Sequence, residues 1–200
     1  MGVYMSHYYQ YDPTLKSELK TYQTTVRGVS FSFLSDRGVF SQDHLDYGSK
    51  VLIESIEVLS PGIKVLDMGS GIGVVGIILK KLFKEIELTQ ADVNLRAIEL
   101  NKENLKLNQV EGEVIESNLF EKINGSFDLI VSNPPIRTGK EVIYKLYMDA
   151  YHRLLDDGVL AIVVRKQQGA KSTITYLETF FKSVKVVTKS KGFYVIHAYK

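Results

Sequence analysis

Cysteine is missing from this chain of 200 residues. Its absence removes disulfides, thiolate metal sites and cysteine nucleophiles together. Histidine is scarce: His7, His44, His152 and His197 are scattered without ligand spacing, so no metal site is expected. Long apolar runs are missing too. The longest stretch free of charged residues, Met68–Leu79, holds four glycines and is too short to span a bilayer. Met1–Tyr11 is polar and tyrosine-rich, without a basic start followed by an apolar run, so no export signal or membrane anchor is expected and the location is expected to be cytoplasmic. Neither sign of charge dominates, because 25 basic and 23 acidic residues leave +2. That excludes a polybasic tail, but not a local basic face that meets nucleic acid.

With 44% hydrophobic and 24% charged residues, what remains is an ordinary globular composition. The length suits one domain, with residues 1–60 as an N-terminal cap and 61–200 as a cofactor-binding and catalytic core. In the core, short apolar runs alternate with helical patterns. Strands are predicted at Ile63–Asp67, Ile86–Asp92, Glu113–Glu116, Phe127–Ser132 and Val159–Val164. Helices are predicted at Val74–Phe83, Leu95–Leu107 (with Asn101, Asn104 and Asn108 on a polar side), Val142–Leu155 and Ala170–Phe181. Ser183–Thr188 and Phe193–Tyr199 then pair as a hairpin. The alternation predicts an α/β, Rossmann-like fold, a mostly parallel sheet with helices on both faces. In the cap, Val26–Phe33 reads as a strand that turns at Ser35–Gly38 and returns over Val39–Ser41, ahead of a helix at Lys50–Leu59.

Between the first core strand and its helix lies Asp67-Met68-Gly69-Ser70-Gly71-Ile72-Gly73-Val74-Val75-Gly76. Open α/β sheets bind ligands at such a turn, and glycines let the backbone approach them closely. From Gly71 the spacing also satisfies G-x-G-x-x-G, with Asp92 about 20 residues on, where a ribose-binding acid is expected. An acid at Asp67 would repel a pyrophosphate on the following helix N-terminus. It suits a cationic ligand without phosphate, and S-adenosylmethionine has an ammonium, a sulfonium and a ribose for Asp92.

After the fourth strand comes Asn133-Pro134-Pro135. Two prolines fix φ, remove two backbone donors and keep Asn133 extended. The Asn133 side-chain oxygen and the Pro134 carbonyl would accept both N–H groups of an amine on an aromatic ring. The remaining lone pair would then face an electrophilic methyl, and the fixed dipoles would stabilise positive charge developing on nitrogen.

Together, Asp67-x-Gly69-x-Gly71-x-Gly73, Asp92 and Asn133-Pro134-Pro135-Ile136 resemble the class I S-adenosylmethionine-dependent methyltransferases that act on amino groups. Gly38-Val39-Phe40-Ser41, Asp46-Tyr47-Gly48-Ser49 and Gly139-Lys140 narrow the resemblance to the small-domain (MTS) group, which includes the small-subunit ribosomal RNA guanine-N2 methyltransferase C family. The resemblance implies a seven-stranded sheet with an antiparallel last strand. It implies that Asp67, Gly69 and Gly71 hold the methionine end of the cofactor, with Gly48 and Ser49 near it, and that Ser70, Gly73, Val93, Leu119 and Asn133 also line the cofactor site. Asp92 would take the ribose, and Asn118 would sit beside the adenine. Asn133, Pro134 and Pro135 would be the catalytic corner; Ile136, Arg137, Lys140 and Phe40 would meet the substrate.

Two positions depart from the family pattern. Asn118 stands where an Asp is usual, and its amide oxygen still accepts from an amine. Ile136 replaces an aromatic residue and cannot stack on a base, which leaves Phe40, Tyr47 or Phe33 to supply that face. The family also commonly carries two tandem domains. The expected acceptor is a guanine N2 amine in 16S ribosomal RNA, free or within the small ribosomal subunit, with the protein a monomer or a dimer. Arg27, Arg37, Arg165 and Lys166 are candidates to extend a basic rim from Arg137 and Lys140, and the target base would have to leave its stack. Other readings stay open: adenine N6 or a protein glutamine as acceptor, or a non-catalytic RNA-binding module. A nicotinamide oxidoreductase is supported only by Gly71–Gly76 and leaves Asn133-Pro134-Pro135 unexplained.

Overall fold

The computed structural model describes residues 17–134 and 139–200. In chain order the elements are β1 (Lys20–Val26), β2 (Val29–Ser35), α1 (Tyr47–Ser55), β3 (Lys64–Met68), α2 (Val74–Leu82), β4 (Glu87–Asp92), α3 (Leu95–Asn108) and β5 (Glu113–Glu116). They continue with β6 (Phe127–Ser132), α4 (Lys140–Arg153), β7 (Leu154–Arg165), α5 (Ala170–Leu177), β8 (Ser183–Ser190) and β9 (Phe193–Tyr199). Seven strands form one sheet in the order β5-β4-β3-β6-β7-β9-β8. The first five are parallel, and β9 runs antiparallel to both β7 and β8.

Side chains alternate across a strand, so a sheet covered on both faces needs apolar residues at every position. Val65, Leu129, Val131, Ala161, Val163 and Val195 face a core shared with α1, α2, α3 and the β1–β2 hairpin. Leu66, Ile130, Leu160, Ile162 and Ile196 face the opposite core, against α4 and α5. The predicted α/β fold and its seven strands are borne out, and the C-terminal ends of β3, β4 and β6 come together on one edge.

The cap differs from its prediction. Its hairpin is Lys20–Val26 with Val29–Ser35, turning at Arg27-Gly28 with φ of 50° and 76°. A two-residue turn of this kind matches strand twist and pulls the pairing toward the N-terminus. Val39–Ser41 pairs with nothing among the described residues: Val39 is buried and Phe40 exposed. Helix α1 starts three residues early because Asp46 caps it, accepting from Ser49 N at 3.0 Å. Near its other end the Arg27 guanidinium donates to the carbonyls of Ile53, Glu54 and Ile56.

Two further boundaries move. The last helix ends at Leu177 rather than Phe181, and β7 begins at Leu154, which pairs with Phe127 before the register shifts. Asn101, Asn104 and Asn108 are not solvent-facing; all three are buried. Asn104 exchanges hydrogen bonds with the Leu34 backbone at 2.7 and 2.9 Å, and Asn108 does the same with Ser32 at 3.2 and 2.8 Å. These amides join α3 to the edge of β2, supplying the partners that buried backbone groups require.

Candidate cofactor and acceptor site

The loop between β3 and α2 is fixed by buried polar groups. Gly69 N and Ser70 N both donate to Ala91 O of β4, at 2.8 and 3.0 Å. Asp67 Oδ2 accepts from Gly76 N in the first turn of α2 at 2.8 Å, and Gln90 Nε2 reaches both Asp67 Oδ2 (3.5 Å) and Gly73 O (3.3 Å). Asn104 Nδ2 donates to Ile72 O, and Asn101 Nδ2 to Ser70 Oγ. At Gly73 φ is 90°, and a Cβ there would collide with the Asn101 amide. By contrast, Cβ atoms at Gly69 or Gly71 would meet nothing within 4 Å. The loop therefore packs tightly at Gly73 and leaves an open cradle at Gly69 and Gly71.

Asp92, at the end of β4, spans the same loop. Its Oδ2 accepts from Gly71 N at 2.8 Å and its Oδ1 from Asn94 N at 2.9 Å. Burial pushes the Asp67 carboxyl up to about 7, with the nearby Asp92 charge acting the same way; burial raises Asp92 as well. No basic side chain among the described residues offsets either acid. Beside Asp92, Val93 is exposed. Ser117 N donates to Asp92 O at 2.9 Å, placing Asn118 and Leu119 next to this strand end. Asn118 is exposed and its Nδ2 donates to Glu121 at 2.7 Å, so its oxygen is the end without that bond.

Across the sheet, Ser132 Oγ donates to Met68 O at 2.7 Å, tying the end of β6 to the start of the glycine loop. Asn133 follows, half-buried, with Pro134 buried behind it. The Asn133 Nδ2 group donates to Asp46 Oδ1 at 3.2 Å and to Ser49 Oγ at 3.1 Å. A carboxylate only accepts, so Asp46 dictates which way the amide points, and Oδ1 is left as the acceptor end. Gly48 lies against this group: a Cβ there would stand 3.0 Å from Phe193, 3.2 Å from Asp46 and 3.4 Å from Asn133 Nδ2. Ser49 and Gly48 therefore pack on the asparagine.

Other predicted residues are placed as follows. Phe40 is half exposed, and Lys140 opens α4 with its ammonium 5.0 Å from the Tyr144 ring. Phe33 is fully buried between Tyr22 and Phe31 and cannot stack on a base. The Arg27 guanidinium donates to the end of α1, and Arg37 pairs with Glu18 at the surface. Pro135, Ile136 and Arg137 lie outside the described residues. Asp46 carries more of the arrangement than the sequence reading gave it. Its signal was the Asp46-x-x-Ser49 spacing of a helix cap.

The methyltransferase small domain model matches residues 30–197. The chain belongs to that family. Within it, this small domain is similar to the uncharacterized protein YbxB of Bacillus subtilis (strain 168), with 40% identity across 97% of this chain and 98% of that one. It is 34% identical to the ribosomal RNA small subunit methyltransferase C of Colwellia psychrerythraea, over 92% of this chain and 52% of that protein. The solved T. thermophilus 16S rRNA N2 G1207 methyltransferase (RsmC), in complex with AdoMet and guanosine, superposes with a TM-score of 0.84 at 25% identity, covering 94% of this chain and 52% of that one. The chain thus spans about half the length of the ribosomal RNA methyltransferases it matches.

S-adenosylmethionine is the cofactor of this class I methyltransferase fold, and the residues present fit it. Gly69 and Gly71 open a backbone cradle, while the buried Asp67 and half-buried Asp92, without a cationic side-chain partner among the described residues, suit a ligand that brings positive charge. Among the described residues no helix is long and apolar enough to cross a membrane, and no cluster of three or more metal-ligating side chains occurs.

Proposed function

We propose that this small-domain methyltransferase modifies the exocyclic N2 amine of a guanine in small-subunit ribosomal RNA. The observation that carries this reading is the orientation of Asn133, whose NH₂ is consumed by Asp46 and Ser49 so that Oδ1 is the end of the amide left to accept. The similarity to proteins named for 16S rRNA methylation supports RNA as the acceptor class.

In this reading Gly69, Gly71 and Asp67 receive the methionine end of the cofactor, Asp92 and Val93 the ribose side, and Asn118 with Leu119 the adenine. Bound there, S-adenosylmethionine supplies an electrophilic methyl on a positively charged sulfur. Asn133 Oδ1 and the Pro134 carbonyl each accept one N–H of the guanine amine, which turns its lone pair toward the methyl. The same two dipoles are already in place when positive charge builds on that nitrogen, so they need no reorganisation. The amine would attack as the neutral base, its C–N bond forming as the methyl–sulfur bond breaks and that electron pair returns to sulfur, and the surplus proton would leave to water after transfer. Prior deprotonation by a side chain is not required, and among the described residues Asn133 has Asp46, Ser49 and Gly48 against it.

Asn133→Ala should still bind cofactor and lose roughly 100-fold in turnover, as removal of a preorganised dipole does. Unchanged turnover would remove Asn133 from the reaction. Labelled cofactor offered to naked ribosomal RNA, assembled small subunits, DNA and a protein extract identifies the acceptor, and nucleoside mass mapping should return N2-methylguanosine. N6-methyladenosine or a methylated glutamine instead would replace the guanine assignment.

A further inference from the structure

Charge is distributed unevenly along this chain. Residues 158–200 contain eight basic side chains and one acid, Glu178, although the whole chain carries only +2. In the rest of the described chain many cations have acidic partners, among them Lys50–Glu54, Lys106–Glu103, Lys122–Glu116 and Lys145–Asp149. In residues 158–200 the ion pair among the described residues is Lys182 with Asp157, at 3.9 Å and largely exposed.

Four of the seven cations in this segment without an acidic partner collect at one place. Lys189 lies at the end of β8 and Lys191 in the turn to β9, and Gly192 O accepts from Lys166 N at 2.8 Å, which sets this turn beside Arg165 and Lys166 at the end of β7. All four side chains belong to exposed residues. Three of them lie over aromatic rings: Arg165 over Phe193 at 4.7 Å, Lys191 over Tyr47 at 4.7 Å and Lys189 over Tyr194 at 5.2 Å. Tyr47 also bonds the turn through Ser190 at 2.7 Å, and Phe193 is the residue against which Gly48 packs beside Asn133. Lysines on an edge strand protect it from pairing with other chains, and Lys185 on β8 is accounted for in that way. Edge protection does not account for a cationic cluster at the strand ends that border Asn133.

We infer that the β8–β9 turn, with Arg165 and Lys166, is the RNA-docking element of this protein, gripping the phosphate backbone next to the nucleotide whose base enters the Asn133 site. The inference rests on the acceptor being RNA. Cations held over aromatic faces suit phosphates and unstacked bases together, the combination used for single-stranded nucleic acid. Because phosphate contacts release counterions, the surface has a quantitative signature in salt.

The test is binding of a short single-stranded RNA across a salt series by the full chain, by the double variant Lys189→Gln/Lys191→Gln, and by Lys102→Gln/Lys106→Gln on the outer helix α3. Losing two phosphate contacts should lower the slope of log affinity against log salt by about 1.4, which is about 25-fold in affinity at 0.1 M salt. The α3 pair should leave the slope as it is, and S-adenosylmethionine affinity should be the same in all three proteins. An unchanged slope in the turn variant, or an equal loss in the α3 variant, overturns the docking element. So does wild-type binding to phosphatidylserine vesicles but not to RNA. Methyl transfer to RNA by a turn variant that binds like wild type would sink the turn alone. Salt-dependent RNA binding through the turn, without transfer to any RNA, would sink the acceptor assignment and keep the turn.

Discussion

Around the glycine loop, at the β3–β4–β5 half of the sheet, functional groups are held by partners close to them in the fold's central crossover. Asp67 is fastened to Gly76, Asp92 to Gly71 and Asn94, and Asn101 and Asn104 to the loop itself. Across the sheet at β6, Asn133 is held from far away in the chain, by Asp46 and Ser49 of the cap. In the first half the polar groups that shape the site are also the buried groups that stabilise the fold. In the second, orientation comes from an N-terminal helix that is fixed for other reasons. Mutations in the cofactor half should therefore change stability and ligand binding together. Those in the acceptor half that keep the α1 cap should change turnover alone.

The largest expected effect is a pH dependence of stability. With the Asp67 carboxyl raised from 3.8 to about 7, the folded protein holds a proton that the unfolded chain has released between those values. Stability from this group is then greatest below about pH 4 and falls as pH rises through 7, by about 4 kcal/mol at 1.36 kcal/mol per unit. Asp92 is shifted in the same direction and adds to the slope. Urea unfolding between pH 4.5 and 7.5 should show the decline, and Asp67→Asn, which can still accept from Gly76 N, should flatten it. A wild-type protein whose stability rises over this range would mean that these acids are ionised and paired, and that the cofactor half is not built around uncompensated carboxyls.

Next in size is Gly73→Ala. The new methyl would meet the buried Asn101 amide at a φ of 90°, which L residues rarely adopt. Overpacking and backbone strain together should cost about 3 kcal/mol, read as a lowered unfolding midpoint. Cofactor affinity should fall with it, because Asn101 also holds Ser70. Loss of affinity at full stability would separate the two properties that the cofactor half is argued to join.

How much of this was legible in the sequence follows the same division. The glycine loop, Asp92 and the strands that carry them are contiguous patterns in which local spacing dictates geometry, and the structure places them together. The Asn133-Pro134-Pro135 motif was legible as a candidate acceptor of N–H groups, and the structure describes its first two residues. What fastens its asparagine was not, because nothing local connects Asp46 with Asn133, 87 positions away. The asparagines of α3 misled for a related reason: polar periodicity reads as a solvent face, whereas here β2 brings backbone groups that need side-chain partners. The hairpin was displaced because the aromatic alternation of Phe31 and Phe33 outweighed the Arg27-Gly28 turn signal.

The smallest expected effect tests the acceptor half most directly. Asparagine caps a helix about as well as aspartate, so Asp46→Asn should preserve α1 and leave the unfolding midpoint nearly unchanged. It replaces an obligate acceptor with an amide that can present either end to Asn133. The Asn133 side chain then loses the partner that fixes its polarity, while Ser49 Oγ, which both donates and accepts, tolerates either orientation. Turnover should fall about 10-fold, with cofactor affinity as in wild type. Asp46→Ala should add the loss of the cap, about 1 kcal/mol in stability, and Ser49→Ala combined with Asp46→Asn should bring turnover close to that of Asn133→Ala. If Asp46→Asn turned over like wild type, the amide would be oriented by its packing against Gly48 and the strand end, and the acceptor site would be as local in its construction as the cofactor site.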